Sequence, residues 1–240
     1  MASMIRLDRF LSEMGVGSRS DVKKQIGFGN VTVNGKAIRK PETKINPEGD
    51  EIVYRKQKVE YRKNVYFMLN KPAGVISASE DRKMETVIDL FEKEHRKNLF
   101  CVGRLDKDTE GLLLVTDDGA FAHKLMSPKK HVPKCYEAVV SGIVDEEDVK
   151  AMKEGIRLDE EFTSSPAELE ILNTDSDKER SVCRLTIYEG RFHQVKRMFE
   201  KRGKKVEALK RIRIGNLSLD PELSVGEYRM LTEEERNSIC

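Results

Sequence analysis

Acidic side chains surround an apolar run in the segment GRLDKDTEGLLLVTDDG at positions 103–119. Asp106 directly follows the stretch FCVGRL, whose apolar start predicts a buried strand, and it lies between Arg104 and Lys107. Neighbouring cations would keep its carboxylate ionised, and an ionised carboxylate can act as a nucleophile or as a general base. Because acids at strand ends are common, this segment makes Asp106 a candidate reacting group and leaves a structural role open.

The other acids of this segment have simpler interpretations. Asp117 and Asp118 stand next to Gly119 and before the predicted helix AFAHKLM, where aspartate is a preferred helix cap. Asp108 and Glu110 have no sequence neighbour that would pair with them, so we expect them to be solvated. The chemical interest of the segment therefore rests on the acid that ends the first strand.

The sequence carries no motif for a cofactor or a metal. It lacks the glycine-rich phosphate loop and the strand, glycine turn and helix of a dinucleotide site. His123, His131 and Cys135 do not have the spacing of a closed metal centre. An enzyme of this sequence is therefore expected to work with its side chains alone. The four cysteines are far apart and are interpreted as reduced thiols: Cys101, Cys135, Cys183 and Cys240.

Positive charge is concentrated in two parts of a chain whose formal net charge is only +2. Residues 1–63 contain 14 Lys+Arg against 8 Asp+Glu, and residues 191–213 contain ten against two. Two basic clusters indicate a polyanion bound at two places, although either cluster alone could be a solvated face. The candidate contacts in the first cluster are Arg19, Lys23, Lys24 and Lys36.

Local patterns predict a compact helix, helix and hairpin unit over residues 1–60. The stretch RLDRFLSEMG repeats apolar side chains at helical spacing, and Ser18 and Asp21 have capping-box spacing at the start of a second helix. VTVNGKAI alternates around an Asn-Gly pair, which is the strongest short signal for a β-hairpin. These three patterns together define a small α+β domain.

A larger domain is predicted over residues 61–240, beginning within the charged connector EYRKN. Strand-like runs such as GLLLVT, CYEAVVSG and SVCRLTIYEG are mixed with predicted helices at ETVIDLFEKE, GAFAHKLMS, EEDVKAMKEG and HQVKRMFEKRG. The lack of regular strand and helix alternation favours an α+β fold with a mixed, mainly antiparallel sheet flanked by helices. No run is long and apolar enough for a signal peptide or a membrane span, so we expect a cytoplasmic protein.

The N-terminal unit resembles the small RNA-binding domain first recognised in ribosomal protein S-four. The matching stretch is RLDRFLSEMGVGSRSDVKKQIGFGNVTVNGKAI, about a quarter of the chain with its flanks. This resemblance implies RNA binding and carries no information about chemistry.

Four stretches in the remainder resemble, in the right order, the motifs of the RNA pseudouridine synthases, in particular those of the RsuA type that act on small-subunit ribosomal RNA. FMLNKPAGVIS resembles the first motif, GRLDKDTEGLLLVTDDG the signature, KCYEAVV the tyrosine motif and YEGRFHQVKRMFE the third motif. With the N-terminal unit, the likeness covers nearly the whole chain. It implies cofactor-free isomerisation of uridine to pseudouridine in ribosomal RNA.

The same resemblance implies roles for individual residues. The family's catalytic aspartate falls on Asp106, its active-site tyrosine on Tyr136 and its ion-pairing base on Lys196, where many relatives carry arginine. Lysine can pair with Asp106, lower its pKa and orient it, but it lacks the bidentate fork of arginine. Lys71 and Pro72 match the first motif, where we expect a structural role.

Isomerisation also requires the target base to leave its stack, because its C5 and the ribose C1′ cannot be reached inside a helix. On this resemblance Arg104 would contact phosphate or fill the vacated space, and Arg197, Lys201 and Arg202 would line the RNA backbone. The expected partner is ribosomal RNA or an assembling small subunit, bound by a monomer without a membrane. One uridine of 16S rRNA is the expected target, with 23S rRNA and a non-catalytic ribosome-assembly factor as alternatives.

Overall fold

The computed structural model describes residues 4–61, 64–92, 98–127 and 130–239, and the chain divides into two compact units, Met1–Asn64 and Val65–Cys240. Each unit contains an apolar core of its own. Three of the four cysteines are described and are free thiols, as predicted: Cys101, Cys135 and Cys183. Cys240 and the end of the predicted helix ETVIDLFEKE lie outside the described residues. None of the described helices is long and apolar enough to cross a membrane.

The N-terminal unit contains two helices and short antiparallel strands. Its elements are β1 (Ile5–Arg6), α1 (Leu7–Glu13), α2 (Arg19–Gly27), β2 (Val31–Val33), β3 (Lys36–Ile38), β4 (Lys44–Ile45), β5 (Ile52–Tyr54) and β6 (Gln57–Lys58). Ser18 caps α2 by accepting a hydrogen bond from the backbone N–H of Asp21. Asn34 and Gly35 both have positive φ in the turn between β2 and β3. The predicted helix, helix and hairpin order is confirmed.

The larger unit is built on one long sheet. Its elements are β7 (Tyr66–Lys71), a 3₁₀ turn (Val87–Leu90), β8 (Phe100–Val102), β9 (Glu110–Thr116), α3 (Gly119–Met126), β10 (Lys134–Ser141), α4 (Glu146–Glu154), β11 (Glu168–Asp175), β12 (Arg180–Ile187), α5 (Gln194–Lys201), β13 (Lys205–Ile214), β14 (Leu217–Ser218), β15 (Tyr228–Met230) and α6 (Glu233–Ser238). The strand order is β11-β12-β10-β13-β9-β7-β15, with β8 added to β9 and β14 added to β13.

Nearly all of these pairings are antiparallel, and β13 with β9 is a parallel pair. The predicted α+β fold with a mixed, mainly antiparallel sheet is therefore confirmed. The described part of ETVIDLFEKE differs from its helix prediction, because only the 3₁₀ turn forms there. Thr86 and Asp89 close a capping box around this turn, and the backbone is extended again at Phe91.

Both faces of the sheet are covered at its centre, which explains the unbroken apolar run of β9. Leu113 and Val115 point into a core shared with α4 and α5, whereas Leu112 and Leu114 point into a second core that includes Leu125 of α3. A strand buried on both faces loses the alternation of a half-exposed strand. The run GLLLVT therefore fixes the position of the acidic loop that precedes it.

Gly111 at the start of β9 allows the parallel contact with β13. Its φ is +97°, and a Cβ atom there would lie 2.3 Å from the backbone oxygen of Arg211. Only glycine permits this close approach of the two backbones. The contact places the end of the 103–109 loop beside the middle of β13.

Candidate active site

A cleft of about 470 Å³ opens where the loop after β8, strands β10 and β13, and the start of α5 come together. Its lining includes the three side chains to which the family resemblance assigns catalytic roles: Asp106, Tyr136 and Lys196. These residues come from three motifs that are far apart in the sequence, and the fold brings them into one concave site.

A larger groove, of about 620 Å³, is lined by Cys135 and Glu137. Successive residues of a strand point to opposite faces of the sheet, so this groove lies across the sheet from Tyr136. Its acids are partly paired, since Arg184 contacts both Glu137 and Glu170. It contains none of the predicted site residues.

Asp106 presents its carboxylate to the cleft between two basic side chains. Lys196 Nζ lies 3.6 Å from Oδ2, and His193 Nε2 lies 3.6 Å from Oδ1. The Asp106 side chain is 26% exposed, so a substrate atom can approach it. The carboxylate therefore combines accessibility with two neighbouring cationic or hydrogen-bonding groups.

Lys196 makes its closest contact with a different acid from the one predicted. Its Nζ lies 2.5 Å from Asp108 Oδ1, which is nearer than the Asp106 carboxylate. The hydrogen bond from Lys196 holds the pKa of the Asp108 carboxyl below its usual value. Asp108 is 72% exposed, as expected of a solvated acid without a partner among its sequence neighbours, but the fold supplies a distant partner in Lys196. The sequence could not show this pair because its members are 88 residues apart.

Asp108→Asn tests whether this contact positions Lys196. We expect isomerisation to slow about tenfold, because the ammonium loses the nearer of its two acids. The free energy of unfolding should fall by less than about 1 kcal/mol, since the pair is exposed. This stabilisation is present above the ordinary carboxyl pKa of 3.8 and is lost as the pH falls through the lower folded value.

Rates on an RNA substrate and urea titrations at neutral and acidic pH measure these two effects. Glu110→Gln is the matched control, because it removes the same charge two residues away without touching Lys196. An unchanged rate in Asp108→Asn, or an equal loss in the control, would contradict a positioning role.

Tyr136 lies on the central strand β10, between β12 and β13, and is 8% exposed. The Arg211 guanidinium carbon lies 6.0 Å from the centre of its ring. Arg211 is itself 3% exposed and donates from Nε to the backbone carbonyl of Leu112. The ring and the buried cation therefore form a fixed wall of the cleft.

His193 is the site residue that sequence reasoning missed. It precedes α5 with a left-handed backbone, φ 50° and ψ 32°, and this conformation directs its imidazole to the cleft. The HQ pair of the third motif was the available signal, but the spacing alone does not reveal a contact with Asp106.

Lys71 supports the acidic loop from below. Its side chain is fully buried, and its three N–H groups are shared among four backbone carbonyls, those of Pro72, Asp106, Lys107 and Thr109, which lie 2.9, 3.2, 3.3 and 2.9 Å from Nζ. Burial lowers the pKa of this ammonium to about 8, while the nearby carboxylates act in the opposite direction. Lys71 has the structural role expected from the first motif.

The predicted RNA-contacting residues fall into different environments. Arg104 lines the cleft with an exposed side chain. Arg197 instead pairs with Asp159 at 2.8 Å, and Arg202 pairs with Asp148, which is fully buried. Because these ion pairs within the chain engage both guanidinium groups, the two arginines are less available to RNA than the sequence suggested. The remaining predicted contacts also have exposed side chains; they are Lys201 on α5 and Arg19, Lys23, Lys24 and Lys36 in the N-terminal unit.

The helix-capping prediction for the two neighbouring aspartates holds for one of them. Asp118 caps α3 by accepting from the backbone N–H groups of Ala120 and Phe121. Asp117 instead accepts from the backbone N–H of Val65 at the start of the larger unit. Among the residues described, no group of His, Cys, Asp and Glu side chains has the arrangement of a metal centre.

Comparison with known proteins defines the class of this site. The RNA pseudouridylate synthase family matches residues 65–201, and the S4 domain matches residues 5–52. The chain therefore belongs to the RNA pseudouridylate synthase family and carries an S4 domain at its N-terminal end.

Three relatives show how far the likeness extends. The chain is 45% identical to the uncharacterized RNA pseudouridine synthase YtzG of Bacillus subtilis, over 96% of each protein. It is 43% identical to ribosomal large subunit pseudouridine synthase B of the same organism, over 97% of this chain and 94% of that protein. It is 40% identical to ribosomal small subunit pseudouridine synthase A of Haemophilus influenzae, over 96% of this chain and 97% of that protein. A solved pseudouridylate synthase structure superposes with a TM-score of 0.70 at 39% identity, over 98% of this chain and 100% of that one.

Proposed function

We propose that this pseudouridine synthase isomerises one uridine of 16S ribosomal RNA, with Asp106 as the reacting carboxylate. The observation that carries the assignment is the convergence of Asp106, Tyr136 and Lys196 on one cleft. A protein that only bound RNA would not need an accessible carboxylate held between a lysine and a histidine. Relatives named small subunit synthase A, 37–40% identical over nearly the whole chain, support the 16S target.

The reaction breaks the bond between ribose C1′ and uracil N1 and forms a bond between C1′ and C5. Asp106 either attacks C1′, forming a bond that breaks again when C5 bonds to C1′, or removes the proton from C2′ and later returns it there. Both routes need its ionised form. The uracil then turns over within the cleft, C5 bonds to C1′ and loses its proton, and N1 ends protonated. In both routes the product nucleotide contains the same atoms as the substrate nucleotide.

The remaining side chains hold the reactants. Tyr136 stacks on the uracil, and its phenol takes part in removal of the C5 proton. Lys196 lies 3.6 Å from the Asp106 carboxylate and orients it. Arg104 contacts the phosphate of the flipped nucleotide or fills the space that it leaves. Phosphate contacts of this kind add affinity without sequence choice.

The proposed division of labour assigns RNA docking to a domain over residues 1–60 and chemistry to a domain over residues 61–240. Three exposed bases on or beside α2 support the docking role: Arg19, Lys23 and Lys24. The proposed setting is the cytoplasm, where a monomer acts on ribosomal RNA or an assembling small subunit during ribosome biogenesis.

Neutralising these three bases together, as Arg19→Gln, Lys23→Gln and Lys24→Gln, should weaken rRNA binding and flatten its salt dependence. If all three contact phosphates, the slope of log affinity against log salt should fall by about 2 to 3. Filter-binding titrations at several salt concentrations measure this slope. The matched control neutralises Lys150, Lys153 and Lys178 in the larger unit, and an equal effect there would contradict a specific docking surface.

Mapping by carbodiimide-dependent primer extension tests the target. rRNA from cells with and without the gene is compared, and a stop in 16S rRNA should disappear when the gene is deleted. A lost stop in 23S rRNA would favour the large-subunit alternative, which the 43% identity to synthase B supports. No lost stop in either RNA would favour a non-catalytic assembly factor.

A further inference from the structure

Phe192 exposes an aromatic ring beside the catalytic cleft. Its side chain is 73% exposed, which is the largest value among the exposed large apolar residues of the described chain. The ring stacks on the neighbouring His193 imidazole, with centroids 3.7 Å apart and planes 19° apart. We call this pair of rings the aromatic shelf. Ligand clefts are commonly lined by aromatic side chains, so an exposed ring in this cleft is a candidate contact for a ligand.

The backbone holds the aromatic shelf in a fixed position. Gln194, which is 3% exposed, accepts from the backbone N–H of Arg191 and donates to the carboxylate of Glu189. His193 adopts a left-handed conformation that costs a non-glycine residue conformational energy. The hydrogen bonds of the buried Gln194 and the constrained backbone of His193 hold the exposed Phe192 ring in place. Its exposure is therefore not the result of a loose loop end.

The shelf lies next to the reacting carboxylate, and both of its rings line the cleft. His193 Nε2 is 3.6 Å from Asp106, and the Phe192 ring stacks on the His193 imidazole. Tyr136, which is proposed to stack on the target uracil, is by contrast 8% exposed. The shelf is therefore positioned for a group next to the target base.

Charges around the shelf match an RNA strand. Arg104, Lys107 and Arg191 line the same cleft and would pair with phosphates on either side of the target nucleotide. Extruding a base from its stack also leaves neighbouring bases with an uncovered face. An aromatic ring is a suitable partner for such a face, because every nucleobase has one.

We propose that the aromatic shelf is a binding site for the unpaired nucleobase adjacent to the target uridine, which stacks on the Phe192 ring. The proposal rests on the proposed function, because it assumes an RNA strand in the cleft. It makes Phe192 a substrate-positioning residue and predicts contact with one specific neighbour of the modified nucleotide.

A binding experiment with full-length variants tests this site. The probe is a synthetic RNA spanning the mapped uridine, with the fluorescent base 2-aminopurine placed on its 5′ or 3′ side. An Asp106→Asn background prevents turnover during the titration. Phe192→Leu keeps an apolar side chain but removes the π face, and Phe192→Trp restores a π face. All variants should unfold at the same temperature, because the substituted side chain is exposed.

The expected result is an affinity about tenfold weaker for Phe192→Leu, or about 1.4 kcal/mol, with near-normal affinity for Phe192→Trp. Bound 2-aminopurine should be quenched at one of the two positions with Phe or Trp and brighter with Leu. Equal affinities and equal quenching for Phe and Leu would overturn the site.

Failure of the proposed function has a different signature. If mapping finds no modified uridine, the same Phe, Leu and Trp series is titrated with a ten-nucleotide oligouridylate. A Leu-specific loss of affinity would then retain the shelf as an RNA-base site while the enzymatic assignment falls. Unchanged affinity would overturn the shelf as well.

Discussion

Asp106→Asn should abolish pseudouridine formation, with a loss of about 10³-fold or more, while RNA affinity stays within about twofold. Asparagine has the same shape as aspartate but is neutral, so it can neither attack C1′ nor accept the C2′ proton. The nearest basic atoms lie 3.6 Å from the carboxylate, so the exchange breaks no short contact and stability should change little. Tritium release from RNA labelled at uracil C5 measures the rate.

The control for this experiment is Asp108→Asn, the same exchange two residues further along the loop. It removes the acid that Lys196 contacts at 2.5 Å but leaves the proposed reacting group in place. A large loss in Asp106→Asn with a moderate one in Asp108→Asn would separate the two acids. Full activity in Asp106→Asn, or a larger loss in Asp108→Asn, would reverse the assignment.

Lys71→Met should destabilise the larger unit by about 3 kcal/mol and remove most of the activity. Methionine fills similar space, but it leaves the carbonyls of Asp106, Lys107 and Thr109 without the donor that they share. The acidic loop then loses its fixed path, and a misplaced reacting group is costly to catalysis. Urea unfolding and the tritium assay measure the two effects.

The pH dependence of stability gives a second measure of Lys71. Burial lowers the pKa of its ammonium from 10.5 to about 8, so between these values the unfolded chain holds a proton that the folded chain has released. The contribution of Lys71 to the free energy of unfolding therefore rises with pH between these two values and is constant below them. The rise should be smaller in Lys71→Met than in the unsubstituted protein.

Lys150→Met is the control, because it replaces an exposed lysine on α4. Its effect on stability should be within about 0.5 kcal/mol. If Lys71→Met is as stable and as active as this control, the carbonyl contacts of Lys71 do not hold the loop.

Local patterns predicted the elements of the fold better than their connections. The cap at Ser18 and the Asn-Gly turn depend on neighbours a few residues away, and both are present. The parallel contact of β13 with β9 depends on a close backbone approach at Gly111 that no periodicity reveals. The short turn at Val87–Leu90 looked like a helix because its apolar spacing suits one.

The candidate site could be predicted from the resemblance to family motifs but not from local sequence patterns alone. Asp106 is one of several loop acids, and the charge of its neighbours did not show that Lys196 would lie nearer to Asp108. His193 reaches the site because its backbone is left-handed, and a sequence pattern does not predict that conformation. Its contact with Asp106 is long-range, so the sequence could place neither the ring nor its partner.

Charge counts were also a poor guide to the surface of the second basic cluster. Arg202 and Lys204 both pair with the buried Asp148, and Arg211 is 3% exposed. Part of the positive charge in residues 191–213 therefore stabilises the interior of the larger unit. An electrostatic interpretation of such a run requires knowledge of which bases already have a carboxylate partner.

The way in which Lys71 holds the acidic loop has a consequence for protein engineering. All of its hydrogen bonds go to backbone carbonyls, which every amino acid supplies. The path of the loop is therefore independent of the side chain at Lys107, which is exposed. That position can be varied as a library around Asp106 to alter RNA affinity, while the scaffold that presents the carboxylate stays the same.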